Sequence, residues 1–297
     1  MSTFLGQVFT GLSLASVLLL AAIGLTFTFG QMGVINMAHG EFIMAGAYTP
    51  YVLQTGLLAG AASLAFVVSI PVAFIVGGLM GLVLERTLLA RMTNRPLDTL
   101  LVTVGVSLVL QQLARDIFGA PNVEVITPTW LTGNWEVFGV IMPHTRLFII
   151  ALSIAVLGLV ALFLDRMPDG RRMRAVMQNR DLAAVSGLKT KRVDATTFFL
   201  GSGLAGIAGV AVALIGSVGS ATGTGYVIDA FLVVIVGGLG KLKGTIIAAV
   251  ALGLLNSFSE FWTSASLGKA IVFIAVIIFL QFRPNGLVSF TRRGLTA

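Results

Sequence analysis

Long apolar segments separated by short polar ones fill this chain, and that pattern limits it to one class of fold. Only 10% of its 297 residues are charged, whereas a soluble domain holds roughly 25%, so the chain cannot cover itself with a polar surface. We therefore expect an all-α, polytopic membrane helix bundle that forms a single transmembrane domain over residues 1–297. At about 20 residues per crossing, the eight or nine expected spans lie near 6–30, 36–56, 61–84, 98–118, 146–164, 195–217, 226–240, 245–262 and 268–282.

Three polar side chains, Asn36, His39 and Glu41, interrupt an apolar, glycine-rich run. Burying a charge at the bilayer centre costs on the order of 3 kcal/mol even on insertion scales, so such residues usually carry function. Asn36 and His39 would share one face of a helix, where an amide and a neutral imidazole can bind a small polar solute. We expect all three to line a substrate pathway; the alternative is that His39 and Glu41 bond to each other and cap broken backbone.

The segment that carries these residues is expected to be a broken helix near 36–56. Gly40, Gly46 and Pro50 interrupt it, and irregular backbone is tolerated at membrane depth only where protein or a cavity surrounds it. The segment therefore either crosses the membrane fully or dips in and returns.

The distribution of lysine and arginine predicts the orientation. Sixteen of the 19 basic residues fall on one face if every segment crosses once, and Arg115, Arg146 and Lys269 fall on the other. Basic loops stay in the cytoplasm, so we expect 165–194 and the carboxyl terminus to be cytoplasmic and 119–145 to be outside. The tryptophans of 119–145 favour an interfacial flap over direct solute contact.

The loop 165–194 contains a stretch compatible with one amphipathic helix that stops at Gly187. Such a helix can rest on lipid headgroups or dock into the groove of a soluble partner. Its basic amino-terminal part includes Arg174, and its apolar stripe consists of Met173, Val176 and Met177, a pattern that fits a partner's groove.

Several function classes are excluded by what the sequence lacks. Cysteine is absent and histidine occurs twice, which argues against thiol, redox and metal chemistry. There is no G-x-x-x-x-G-K-[ST] phosphate loop and no hydrolase motif, so we expect neither ATPase activity nor any other enzyme activity. The net charge of +7 is explained by the basic loops, so no nucleic-acid partner and no cofactor are expected.

Three segments resemble one family of transport proteins. INMAHGE at 35–41, GRRMRAVMQNRDLAAVSGL at 170–188 and YVIDAFLVVIVGGLGKLKGTIIAAVALG at 226–253 are similar, in order and spacing, to the first of the two permease subunits of branched-chain amino-acid and urea ABC importers. Residues 111–133 look more like the urea branch. Residues 181–187 resemble the E-A-A-x-x-x-G signature of import permeases, with aspartate for glutamate and leucine for the first alanine.

This resemblance implies a permease subunit in a bacterial inner membrane. Its expected partners are a second related permease subunit, two cytoplasmic ATPase subunits, an extracytoplasmic solute-binding protein and the lipid bilayer. The expected solute is urea or a short amide; a branched-chain amino acid is the alternative, and an ATP-independent channel or carrier is the second. The resemblance places ATPase coupling at Asp181, Ala184 and Gly187. Arg174, in the basic amino-terminal part of the same loop, is a further coupling candidate. Asp229 is a further pathway candidate, or else a helix-end acid facing water.

Overall fold

A computed structural model describes residues 2–92, 96–137 and 139–288. Arg95, Arg292, Arg293 and the carboxyl terminus, all used in predicting the orientation, lie outside these ranges. Within them the chain is mainly helical, which confirms the all-α prediction. The helices are α1 Ser2–Met32, α2 His39–Thr55, α3 Ala62–Thr87, α4 Pro96–Phe118, α5 His144–Arg166, α6 Pro168–Gln178, α7 Arg180–Val185, α8 Thr190–Ala213, α9 Thr222–Gly237, α10 Leu242–Trp262 and α11 Ala265–Phe282.

Each predicted span corresponds to one of these helices. In the described part of the chain, seven helices are long and apolar enough to cross a membrane: α1, α3, α4, α5, α8, α10 and α11. α2 has 17 residues and α9 has 16, which gives each a length of about 25 Å, less than the roughly 30 Å of a hydrocarbon core. The polytopic helix bundle is thus confirmed, with two of its helices shorter than a full span.

The irregular backbone lies before α2 and not within it. α2 runs without interruption through Pro50, whereas residues 33–38 are not helical. The His39 side chain at the start of α2 reaches the carbonyl oxygen of Ala21, in the middle of α1. The chain therefore turns back into the bundle after α1 ends, and α2 begins at mid-depth.

The centre of the bundle consists of α1, α2 and α8, which are largely buried. Small residues let these helices come into backbone contact. A Cβ atom added at Gly24 on α1 would collide with the carbonyl oxygen of Gly201 on α8, and one added at Gly46 on α2 would collide with that of Gly206. In contrast, α4, α5 and α11 expose most of their apolar side chains, as expected of helices that face lipid or a partner.

Two faces of the bundle differ in their connections. On the first, which we call the basic face, lie α6, α7, residues 88–92 of the α3–α4 connection, and the α9–α10 connection. On the opposite face, the α4–α5 connection contains the antiparallel hairpin of β1 Asn134–Val137 and β2 Val140–Pro143. The same connection pairs with the α8–α9 loop at Val123 and Val218 and with Gln54 of α2 at Ile126.

The predicted single helix of loop 165–194 is wrong. Asn179 adopts extended backbone with φ −155° and separates α6 from α7. Its side chain accepts a hydrogen bond from Leu182 N at 3.0 Å and so caps α7. The sequence periodicity continued through Asn179, but a residue with a good capping side chain started a new helix there.

Candidate functional site

Residues 33–38 form an irregular segment that is held against α4. Met37 N donates a hydrogen bond to Thr103 Oγ1 at 3.1 Å, and the same hydroxyl lies 3.4 Å from Ile35 O. Since irregular backbone inside a membrane is tolerated only where protein buries it or beside a cavity, this segment is the first part of the candidate site.

Asn36 and His39 lie in or next to that segment and are fully buried. They do not share a helical face, because Asn36 precedes α2 and only its carbonyl bonds to the His39 amide (3.3 Å). Neither Asn36 Oδ1 nor Nδ2 has a hydrogen-bond partner. His39 Nε2 donates to Ala21 O at 3.0 Å, while Nδ1 has no partner. The site thus contains several buried polar atoms that the protein leaves unpaired.

Glu41 is also fully buried, and its partners come from α4 rather than from His39. Its Oε1 accepts hydrogen bonds from Ser107 Oγ (2.7 Å) and Gln111 Nε2 (2.9 Å), while Oε2 has no partner. Gln111 Nε2 also lies 3.2 Å from Thr224 Oγ1 on α9. The alternative in which His39 and Glu41 satisfy each other is therefore wrong. A chain of polar groups leads instead from buried Glu41 to half-buried side chains between α4 and α9.

The α4 side of this cluster was missed by the sequence reasoning, although the sequence carries a signal for it. Thr99, Thr103, Ser107 and Gln111 recur every four residues, which places them on one face of a helix. Thr99 and Thr103 are buried, whereas Leu101, on another face, is largely exposed. A polar stripe in an otherwise apolar span thus marks the face of α4 that meets α2.

The unpaired polar atoms make Asn36, His39 and Glu41 candidates for a functional site. Leaving a buried donor or acceptor without a partner costs about 1–3 kcal/mol, and such groups are few in folded proteins and need a specific explanation. Here four such atoms belong to three residues within six positions, Asn36, His39 and Glu41. Amide, imidazole and carboxylate together offer donors and acceptors to a polar solute at mid-depth in the bundle.

Asp229 is not brought together with these residues. It lies on α9 five positions after Thr224, a rotation of about 140°, and so on a different face. Its carboxylate accepts a hydrogen bond from Lys269 Nζ on α11 at 3.3 Å. With Asn256 and Glu260 it lines a separate cavity of 310 Å³ among α1, α9, α10 and α11.

The predicted coupling residues lie on and around α7 on the basic face. Asp181, Ala184 and Gly187 are all exposed. Gly187 has φ +86°, and the amides of Gly187 and Leu188 close α7 by bonding to the carbonyl oxygens of Ala184 (3.0 Å) and Ala183 (3.1 Å). This is the Schellman arrangement, in which glycine is favoured at the left-handed position.

The apolar stripe predicted for a partner's groove is not available to one. Met173 and Val176 on α6 are 1% and 2% exposed and belong to the bundle's own core. On α7, in contrast, the apolar side chains of Leu182 and Val185 are exposed, at 65% and 88%. Arg174 pairs with Asp165 at 2.7 Å in a solvent-exposed salt bridge.

A second buried polar cluster attaches α7 to the bundle. Arg180, the first residue of α7, donates hydrogen bonds to both oxygens of buried Asp194 on α8, at 3.0 and 2.5 Å, and these bonds raise the pKa of its guanidinium. Gln31 Nε2 near the end of α1 donates to Asp194 Oδ1 at 2.7 Å, and its Oε1 accepts from Thr197 at 2.6 Å. We call these four residues the clamp; they connect α7 to the helix end that leads into 33–38.

Comparison with known proteins identifies the family. The family described as branched-chain amino acid transport system, permease component, matches residues 7–280. The chain belongs to this family. No solved structure gives a significant match.

Individual permeases of this kind resemble almost the whole length of this chain. The high-affinity branched-chain amino acid transport system permease protein BraD of Pseudomonas aeruginosa is 29% identical, with 96% of this chain and 95% of BraD covered. LivH of Escherichia coli K12, a permease protein of the corresponding system, is 27% identical with the same coverage. LivM of the same organism and system is 27% identical over 95% of this chain and 70% of LivM.

These relatives bear on the expected solute. The expectation of urea depended on residues 111–133, and the names of the permeases above give branched-chain amino acids instead. The comparisons therefore support the alternative reading better than the urea reading.

Proposed function

We propose that this permease is a membrane subunit of an ABC importer that carries branched-chain amino acids. The observation that carries the proposal is the family match over residues 7–280. The polar site supports it as well, because its unpaired amide, imidazole and carboxylate groups suit the polar end of an amino acid at mid-depth in the bundle.

The proposed assembly contains a second related permease subunit, two cytoplasmic ATPase subunits and an extracytoplasmic binding protein. The similarity of this one chain to both LivH and LivM supports a pair of related permeases. The largely exposed apolar face of α4 offers a surface for such a neighbour.

We place the basic face in the cytoplasm of a bacterial cell, because basic connections are retained there. Cysteine is absent from the sequence, so single cysteines give labelling without background. Asn134→Cys on β1 should react with an impermeant thiol reagent in intact cells, and Gln178→Cys on α6 should react only after permeabilisation. The reverse pattern would invert the orientation.

The proposed pathway runs along the contact between α4 and the start of α2. The stripe of Thr103, Ser107 and Gln111 meets 33–38 and Glu41 there. Separating α4 from α2 would expose the unpaired atoms of Asn36 and Glu41 to a solute, whereas closing that contact buries them.

The proposed ATPase contact is α7, with the clamp as its connection to the pathway. Leu182 and Val185 supply exposed apolar area for a groove in the ATPase. Arg180 ties α7 to Asp194 and through it to Gln31, which is five residues before Asn36. A displacement of α7 would thus be passed to the helix end that supports 33–38.

The decisive experiment is uptake of labelled leucine and labelled urea by cells that carry the complete importer. Leucine uptake that depends on this subunit and on ATP is expected. Uptake of urea without leucine would overturn the proposed solute, and solute flux without ATPase subunits would favour a channel or carrier.

A further inference from the structure

Two cavities on the basic-face half of the molecule adjoin each other at Met173. The first, of 350 Å³, lies among α6, the α7–α8 connection and the start of α8, and it is lined by Arg172, Lys189 and Arg192. The second, of 490 Å³, lies among α3, α5 and α8 and is lined almost only by apolar side chains. Met173 lines both cavities.

The two cavities also follow one face of α8. Arg192, Val193 and Thr196 line the first cavity, and Leu200 and Leu204 line the second. Residues that recur at three- and four-residue intervals lie on one helical face. A single elongated ligand can therefore contact both cavities along α8.

The first cavity is suited to an anion. Its lining holds three basic side chains and one carboxylate, Asp169, which pairs with Arg172 at 2.6 Å. Lys189 and Arg192 are exposed and have no carboxylate partner among the described residues. The amino terminus of α8, a helix of 24 residues, opens here, and its dipole favours negative charge.

The second cavity has the dimensions of one leaflet. Along α5 its lining extends from Met167, at the basic face, to Val156, a distance of about 16 Å. Half of a hydrocarbon core measures about 15 Å. The groove therefore starts at the level of the basic cavity and ends near the bilayer centre.

We propose that these two cavities form one binding site for an anionic phospholipid of the leaflet next to the basic face. The phosphate lies between Lys189, Arg192 and Arg172, and one acyl chain follows Leu200 and Leu204 along α8. Basic pockets next to apolar grooves on the cytoplasmic side are the chemistry that recognises such headgroups. The lipid would brace the connection between α7 and α8, since Gly187 and Leu188 line the same cavity.

The test measures lipid retained by the purified full-length protein, by native mass spectrometry, during titration with phosphatidylglycerol or phosphatidylcholine. Phosphatidylglycerol is expected to bind in preference to phosphatidylcholine. The double variant Lys189→Gln/Arg192→Gln should bind phosphatidylglycerol about 10- to 30-fold more weakly. Arg171→Gln is the matched control, because Arg171 is exposed on α6 beside Arg172 but does not line the cavity; it should change binding less than about twofold.

A second pair of variants tests the apolar groove. Ile75→Trp fills the rim of the groove, whereas Val67→Trp alters a similarly exposed position of α3 outside it. Only the first should weaken phosphatidylglycerol binding. Equal effects of target and control variants, or equal binding of both lipids, would overturn the proposal. Glycerol phosphate that binds as tightly as phosphatidylglycerol would reduce the site to a phosphate site and overturn the lipid assignment.

Discussion

Two buried polar clusters, which include Gln31 and Asn36 respectively, differ in how completely their polar atoms are paired. In the clamp, every polar side-chain atom of Gln31, Asp194 and Thr197 bonds to a neighbour. In the cluster of Asn36, His39 and Glu41, Asn36 has no side-chain partner at all, and His39 and Glu41 each leave one atom unpaired. A buried polar network that is fully satisfied makes a structure rigid, whereas buried polar groups without partners lower stability. This difference supports the proposals that the clamp connects α7 to the bundle and that Asn36, His39 and Glu41 contact the solute.

Asp194→Ala should have the largest effect. It leaves Arg180 and Gln31 without their shared acceptor, and breaking a buried charge pair costs about 3–5 kcal/mol. We expect a lower Tm in detergent and loss of ATPase retention. An unchanged Tm would show that the clamp does not stabilise the fold, and the proposed difference between the two clusters would be wrong.

Gly187→Pro tests whether the clamp transmits motion through α7. Proline requires φ near −65°, whereas Gly187 has φ +86°, so the end of α7 must rearrange at a local cost of about 1–3 kcal/mol. Ala184→Arg tests the same contact in a second way, because it places a bulky charge on the exposed side of α7. Solute-stimulated ATPase activity should fall while the protein stays in the membrane.

Gln178→Arg is the control for these coupling variants, because Gln178 is exposed at the end of α6, outside α7. If solute-stimulated ATPase activity were unchanged in both α7 variants, α7 would not be the ATPase contact, and the α3–α4 or α9–α10 connection would become the candidate.

Asn36→Ala and His39→Ala test the other half of the comparison. Removing one hydrogen-bonding partner of the solute should cost about 1–3 kcal/mol, which lowers uptake about 5- to 150-fold. Since Asn36 makes no side-chain hydrogen bond in the protein, its removal should leave the Tm almost unchanged. A fall in Tm with normal uptake per folded molecule would make Asn36 a structural residue.

Asp165→Ala should have the smallest effect. Asp165 and Arg174 form a pair as short as those in the clamp, but their side chains are 65% and 44% exposed, and such pairs contribute at most about 1 kcal/mol. We expect nearly normal Tm and uptake. An effect as large as that of Asp194→Ala would show that the different burial of the two Asp–Arg pairs does not determine how much each contributes to stability.

Much of the fold followed from local sequence because membrane helices are set by segment length and hydropathy. The α1 to α11 order contains all predicted spans, and Asn36, His39 and Glu41 stood out because polar groups are rare at that depth. The split of loop 165–194 did not follow, since periodicity continues through Asn179 while its capping bond depends on the backbone there. The same limit applied to Met173 and Val176, whose apolar stripe fits a partner and the protein's own core equally well.

Hydropathy and residue type are enough to show that the chain is a helical membrane protein, which residues are polar at depth and where the basic connections lie. Which polar groups meet depends on how the helices pack. Glu41 could have bonded to His39 two residues away, yet its partners Ser107 and Gln111 are 66 and 70 residues distant. Gln31 and Asn36 are neighbours in sequence, but packing against α8 pairs the first and leaves the second unpaired. The reason is physical: hydropathy acts on each segment separately, whereas hydrogen bonds in the interior depend on which helix faces come together.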